Sequence, residues 1–167
     1  MKYSIDKLVN DLNLTPHPEG GFYREIFRSE GIFPASDDTA FPSGRNYSTA
    51  IYFLLTDGNF SALHRIRSDE TWHYYNGDPT LVVEITPEGK LIQTVLGPYI
   101  DQGQVFQYTV KAGHWFGSMV ANNGTYSLTG CTVAPGFDFR DFEMADRHQI
   151  TKEFIEHADL IRRFTRE

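Results

Sequence analysis

The sequence predicts an all-β fold, a sandwich or barrel of the jelly-roll kind with a short helix at each end. Three observations predict it. Short runs rich in apolar and β-branched residues recur with turn signals about 8–12 residues apart, the spacing of sandwiches and barrels. The chain is 14% aromatic, with nine Tyr and 13 Phe, residues that favour a half-buried pleated surface. The runs are punctuated by Asn76-Gly77, Thr86-Pro87-Glu88-Gly89, Lys111-Ala112-Gly113 and Pro135-Gly136, each a turn-forming group.

In chain order, Ser4 is placed to cap a helix over residues 5–12, where Ile5, Leu8, Val9 and Leu12 recur at helical spacing. Two prolines and two adjacent glycines make residues 15–21 an irregular connector. Residues 22–28 read as a strand with Phe22, Arg24, Ile26 and Arg28 on one face and Tyr23, Glu25 and Phe27 on the other. Neither face is cleanly polar, as expected of a strand at a polar cavity or a subunit contact. Residues 31–44 hold Pro34, Ser36, Asp37, Asp38, Pro42 and Ser43 and read as a long surface loop or lid. Residues 47–55 are almost continuously apolar, a strand buried on both sides or at an interface.

From Gly58 to Gly77 the sequence predicts a hairpin: a strand ending near Ile66, a turn at Arg67-Ser68-Asp69 and an aromatic strand through Trp72 and Tyr74. Residues 81–85 and 90–96 form another hairpin, residues 104–110 and 114–120 flank Gly113, and residues 126–133 are the last long strand. The tail 147–165 is helical by pattern, with Phe154, Ile155, Leu160 and Ile161 apolar. No repeat or second domain is visible: one domain spans 1–167, with its barrel over about 20–142.

Bulk properties exclude several classes. A net charge of −7 lacks the basic stripe that nucleic acid requires. No apolar run approaches the ~18 residues of a membrane helix, and the N-terminus lacks a signal-peptide core. The single Cys131 forbids an intrachain disulfide and fits a reducing cytoplasm. The expected partners are a small molecule and a second copy of the chain. A homodimer would bury Phe22, Phe27 and parts of residues 47–55.

His64 and Glu70 carry the chemistry. Facing inward across the predicted hairpin, an imidazole and a carboxylate reach one ligand as an acid/base pair. With Gly58, His64, Glu70 and Gly77 spaced as they are, the stretch resembles the first motif of the cupin superfamily, G-x5-H-x-H-x3-E-x6-G. Ile66 stands at the second histidine position, and in the match to the second motif, Gly113-His114-Trp115-Phe116, Phe116 stands where the last ligating histidine would be. The runs PHPEGGFYRE, TAIYFLL, DETWH and CTVAPGF are similar to one small cupin subfamily.

The resemblance implies a double-stranded β-helix like that of germins and dTDP-4-dehydrorhamnose 3,5-epimerases, and a metal site with two of four ligands missing. No cofactor is therefore expected, and at most a weakly held divalent metal at His64 and Glu70. Arg24, Tyr52, Trp72, Tyr74, His114 and Phe116 are candidate ligand-binding residues, Arg24 as a grip on an anionic group and the rings as cavity wall. Cys131, with no evident base beside it, reads as a small buried hydrophobe. The functional expectation is a small polar, carbohydrate-like ligand, handled by an isomerase or epimerase or held by a non-catalytic binding or sensing protein.

Overall fold

The structure is a computed structural model that describes residues 3–35 and 40–166. Its elements run α1 (Ile5–Asp11), β1 (Thr15–Pro16), β2 (Phe22–Arg28), β3 (Ile32–Phe33), β4 (Arg45–Asn46), β5 (Thr49–Thr56), β6 (Phe60–Arg65) and β7 (Asp69–Gly77). They continue through β8 (Thr80–Ile85), β9 (Leu91–Leu96), β10 (Gln107–Val110), β11 (Trp115–Val120), β12 (Tyr126–Ala134) and β13 (Glu143–Met144) to α2 (Arg147–Glu153) and α3 (Ala158–Arg163).

Two antiparallel sheets face each other. One has the order β1-β2-β5-β12-β7-β10 and the other β13-β6-β11-β8-β9. Among the described residues no ladder joins them, so of the two expected forms, sandwich or barrel, the jelly roll is a two-sheet sandwich and no closed barrel is formed. Side-chain alternation along each strand builds the layers. In β8, Val82 enters the cluster between the sheets, with Phe53, Trp72, Phe116 and Val133. Its neighbours Val83 and Ile85 face the other way, under Ile150, Phe154, Ile161 and Phe164 of the C-terminal segment. The outer face of the six-stranded sheet is covered at one end by α1, where Leu8 packs on Leu54, Tyr126 and Leu128.

Several expectations change. β6 pairs with β11 and β13, whereas β7 pairs with β12 and β10, so the turn at 66–68 is a crossing between sheets and not a hairpin. The turn at 111–113, for which no pairing was expected, is likewise a crossing, because β10 and β11 lie in different sheets. Both crossings exist because a strand must leave its sheet for the chain to cover the core from two sides. Within residues 31–44, Ile32 and Phe33 pair with Asn46 and Arg45, which makes part of the expected loop a short ladder; residues 36–39 lie outside the described ones.

The helices follow the pattern more closely. Ser4 caps α1 by accepting from the Lys7 backbone N–H at 3.3 Å. The helical tail breaks at Phe154, whose buried ring ends α2, and resumes as a 3₁₀ turn and α3. No described helix is long and apolar enough to cross a membrane.

Candidate functional site

A cavity of about 300 Å³ opens between the sheets, and its polar groups arrive from three directions. His64 comes from β6, on the face opposite Leu63, which packs under the C-terminal helices. Glu70 and Cys131 come from β7 and β12 in the other sheet. His17 and Glu19 come from the connector before β2. That connector is a closed turn: Gly20 N–H donates to His17 O, and His17 N–H donates to Gly21 O, both at 3.0 Å. Gly20 and Gly21 have φ of +117° and +72°, values that L side chains avoid. The Glu19 carbonyl accepts from Ala62 N–H at 2.8 Å and from the Arg166 guanidinium at 3.0 Å, so both β6 and the C-terminus fix this turn.

The hydrogen bonds determine where the protons sit. His64 Nδ1 lies 2.7 Å from Ala62 O, an acceptor, so Nδ1 carries the hydrogen and Nε2 offers a lone pair. Glu19 Oε2 lies 3.1 Å from that Nε2, while Glu19 Oε1 accepts from Ser61 Oγ at 3.0 Å. Burial drives the Glu19 carboxyl well above the usual carboxylate range, an effect reinforced by the Glu70 charge and opposed by Ser61. Burial also lowers His64 to about 3. A neutral Glu19 acid donating to a neutral His64 satisfies all three statements. His17 accepts at Nδ1 from Glu19 N–H at 3.3 Å, and burial lowers it to about 4, so it too is uncharged near neutrality.

Glu70 is buried, and burial raises it to about 7, against a hydrogen bond from the Cys131 thiol. The thiol itself is pushed well above its usual range by burial and by the neighbouring Glu70, which keeps it protonated. The walls are aromatic: Tyr23, Phe53, Phe137 and Phe139 line the cavity, and Tyr23 meets His17 edge-on with ring centroids 4.5 Å apart. At the mouth, Arg28 donates to both Glu25 carboxylate oxygens at 2.9 and 2.7 Å, to Asn46 Oδ1 at 2.8 Å and to Phe137 O at 3.1 Å.

His64 and Glu70 are thus brought to one cavity, from opposite sheets. The other expected ligand-binding residues are not among its lining. Arg24 is exposed on the sheet's outer face and donates to Leu12 O at 3.1 Å. Tyr52 packs with the α1 cluster and against Tyr75. Trp72 is core, with an indole N–H that has no hydrogen-bond partner among the described residues. Tyr74 donates to Gly77 O at 2.7 Å. Phe116 is buried behind His64, with ring centroids 4.1 Å apart. His114 bonds the buried Glu84, which also accepts from Tyr108 at 2.5 Å. The polar groups that the sequence-based site omitted include His17 and Glu19 inside and Glu25 and Asp138 at the mouth. His17 and Glu19 had a signal, a pair of ionisable residues in a Pro- and Gly-locked turn within the run PHPEGGFYRE.

A cupin-type metal does not fit these residues. Ile66 and Phe116 fill two of the four ligand positions with core side chains, and Glu19 occupies the lone pair of His64. Among the described residues no group of three or more His, Cys, Asp or Glu side chains is arranged to hold a metal ion.

A two-sheet jelly roll with a histidine and a glutamate turned into its interior defines the class as a cupin-fold protein. The chain belongs to the cupin superfamily, in the family described as DUF985, whose profile matches residues 6–145. It is 30% identical over 148 residues to an uncharacterized protein of Saccharomyces cerevisiae, covering 83% of this chain and 73% of that one. A solved hypothetical protein from Leishmania major is 36% identical with a TM-score of 0.91, over 99% of this chain and 100% of that one. A solved protein from Shewanella oneidensis is 34% identical with a TM-score of 0.87, over 99% of each chain. Oxalate decarboxylase from Bacillus subtilis, 13% identical with a TM-score of 0.56 over 90% of this chain and 36% of that one, shares the fold alone.

Proposed function

We propose that the chain binds a small polar, carbohydrate-like metabolite between its sheets and moves a proton on it, as a sugar isomerase or epimerase does. The observation that carries this reading is the convergence of Glu70 and the Glu19–His64 pair on one aromatic-walled cavity from opposite sheets. Such chemistry needs a base to take a proton from the carbon beside a carbonyl and an acid to return one. Glu70, at about 7, populates both its forms near neutrality and suits the first role. Glu19, held as an acid and hydrogen-bonded to His64, suits the second. Tyr23 is the tyrosine at the cavity and takes the place that Tyr52 and Tyr74 held in the sequence-based expectation.

The test is solvent exchange. The protein is incubated in heavy water with a pool of small polar metabolites, and carbon-bound deuterium is followed by mass spectrometry. An isomerase introduces deuterium into one compound, and Glu70→Gln abolishes the exchange. A compound that is retained but never labelled leaves the non-catalytic binding reading. We expect little metal to be retained; near-stoichiometric zinc, iron, nickel or manganese after mild purification contradicts that. The buried, free Cys131 agrees with a reducing, cytoplasmic setting.

A further inference from the structure

The charges lining the cavity are unbalanced in a way that identifies its ligand more closely. Four carboxyl groups line it, from Glu19, Glu25, Glu70 and Asp138, against one permanent cation, Arg28. Four of the five Arg28 N–H groups are taken by Glu25, Asn46 and the Phe137 carbonyl. Asp138 is held by the Arg140 side chain through both its oxygens, at 2.9 and 2.6 Å. The two mouth carboxylates therefore already have counter-charges.

Glu19 and Glu70, deeper inside, have none. Among the described residues the Glu19 carboxyl touches only His17, His64 and Ser61, and Glu70 has the Cys131 thiol. His17 accepts at Nδ1 from Glu19 N–H and is therefore neutral, and His64, which donates from Nδ1 to Ala62 O, is kept neutral by its burial. Glu19 is already neutral as an acid, but Glu70, once ionised, is a buried carboxylate without a counter-charge; that is costly, and a ligand that supplies the missing positive charge recovers the cost on binding. The aromatic faces of Tyr23, Phe53, Phe137 and Phe139 favour the same kind of group, since ring faces attract cations.

Building on the small-ligand reading above, we propose that the metabolite carries a protonated amine, seated between Glu19 and Glu70, with its less polar body against the aromatic walls. An amino-bearing polar molecule fits this description and an acidic one does not. The cavity rejects carboxylates and phosphates, because its one permanent cation is already occupied and its interior groups are acidic.

Three probes of one shape decide the matter: cyclohexylamine, cyclohexanol and cyclohexanecarboxylate, titrated near neutral pH and followed by NMR shifts of the cavity residues. The amine should bind about tenfold more tightly than the alcohol, and the carboxylate should not bind. Glu70→Gln, similar in shape and checked for folding by circular dichroism, should erase most of that preference.

Alcohol or carboxylate binding as tightly as the amine overturns the charge assignment and leaves the small-ligand reading standing. A preference that survives in both Glu70→Gln and Glu19→Gln also overturns it. If none of the three probes shifts a cavity residue, the amine assignment is overturned, and the small-ligand reading is decided separately by the heavy-water exchange.

Discussion

Glu70 is a carboxyl group whose acidity is set by where the fold puts it. Burial raises it from an ordinary 4.5 to about 7, so the folded state holds its proton more tightly than the unfolded chain. Stability from this group is therefore full below about 4.5 and is lost as pH rises through about 7. His64 and His17 act oppositely: lowered to about 3 and about 4 in the fold, they cost stability as pH falls below their ordinary 6.5. Glu70→Gln removes only the first effect. Relative to wild type, that variant should gain roughly 2 kcal/mol between about pH 5 and about pH 8. Urea denaturation at the two pH values measures it, and an unchanged difference would mean that Glu70 ionises as an exposed carboxyl does.

At the same scale, carbon NMR of Glu70 in glutamate-labelled protein should show its carboxyl titrating near 7. Glu70→Gln should remove that titration.

At the scale of elements, the turn before β2 does more for the site than its length suggests. A Cβ on Gly21 would meet Leu54 O at 2.7 Å and the Leu55 side chain at 3.0 Å, on a backbone at φ +72°. Gly21→Ala should therefore cost roughly 2 kcal/mol or more. It should also shift Glu19 away from His64, seen as changed His64 ring resonances; a variant as stable as wild type with those resonances unmoved would contradict this account.

The strands themselves were legible in the sequence because alternation is local. Phe22–Arg28, the run through Leu55 and the strand from Tyr126 were all expected close to where they lie. Which strands pair was not legible, because Asp69 and Gly113 each sit at a turn that looks the same whether it closes a hairpin or crosses between sheets. For that reason His64 and Glu70 were expected across one hairpin, whereas they line one cavity from two sheets. His17 and Glu19 were overlooked, because a connector has no periodicity from which to read a direction.

At the scale of the whole molecule, the open end of the six-stranded sheet remains to be covered. Phe22 needs no second copy, since it packs in the chain's own α1 cluster, and Phe53, Leu54 and Leu55 are buried within the chain. Ile26, Phe27, Ile32 and Tyr47, however, are between 46% and 61% exposed along the β2–β4 region. An apolar group of this kind is best covered by a two-fold pairing of identical faces. A homodimer is the expected state, and light scattering at micromolar concentration should give twice the mass of one chain. Phe27→Glu should lower that mass toward the monomer without loss of β structure by circular dichroism. A monomeric wild type ends this proposal.

Whether the cavity between the sheets holds a small polar molecule is decided by a retention measurement. Wild type and Ile51→Trp, which fills the cavity from β5, are each incubated with a cellular small-molecule extract, and the compounds retained on ultrafiltration are identified by mass spectrometry. A polar compound should be kept by wild type at near-equal molar ratio and be absent from the folded Ile51→Trp variant. Identical sets of compounds retained by the two proteins would contradict it.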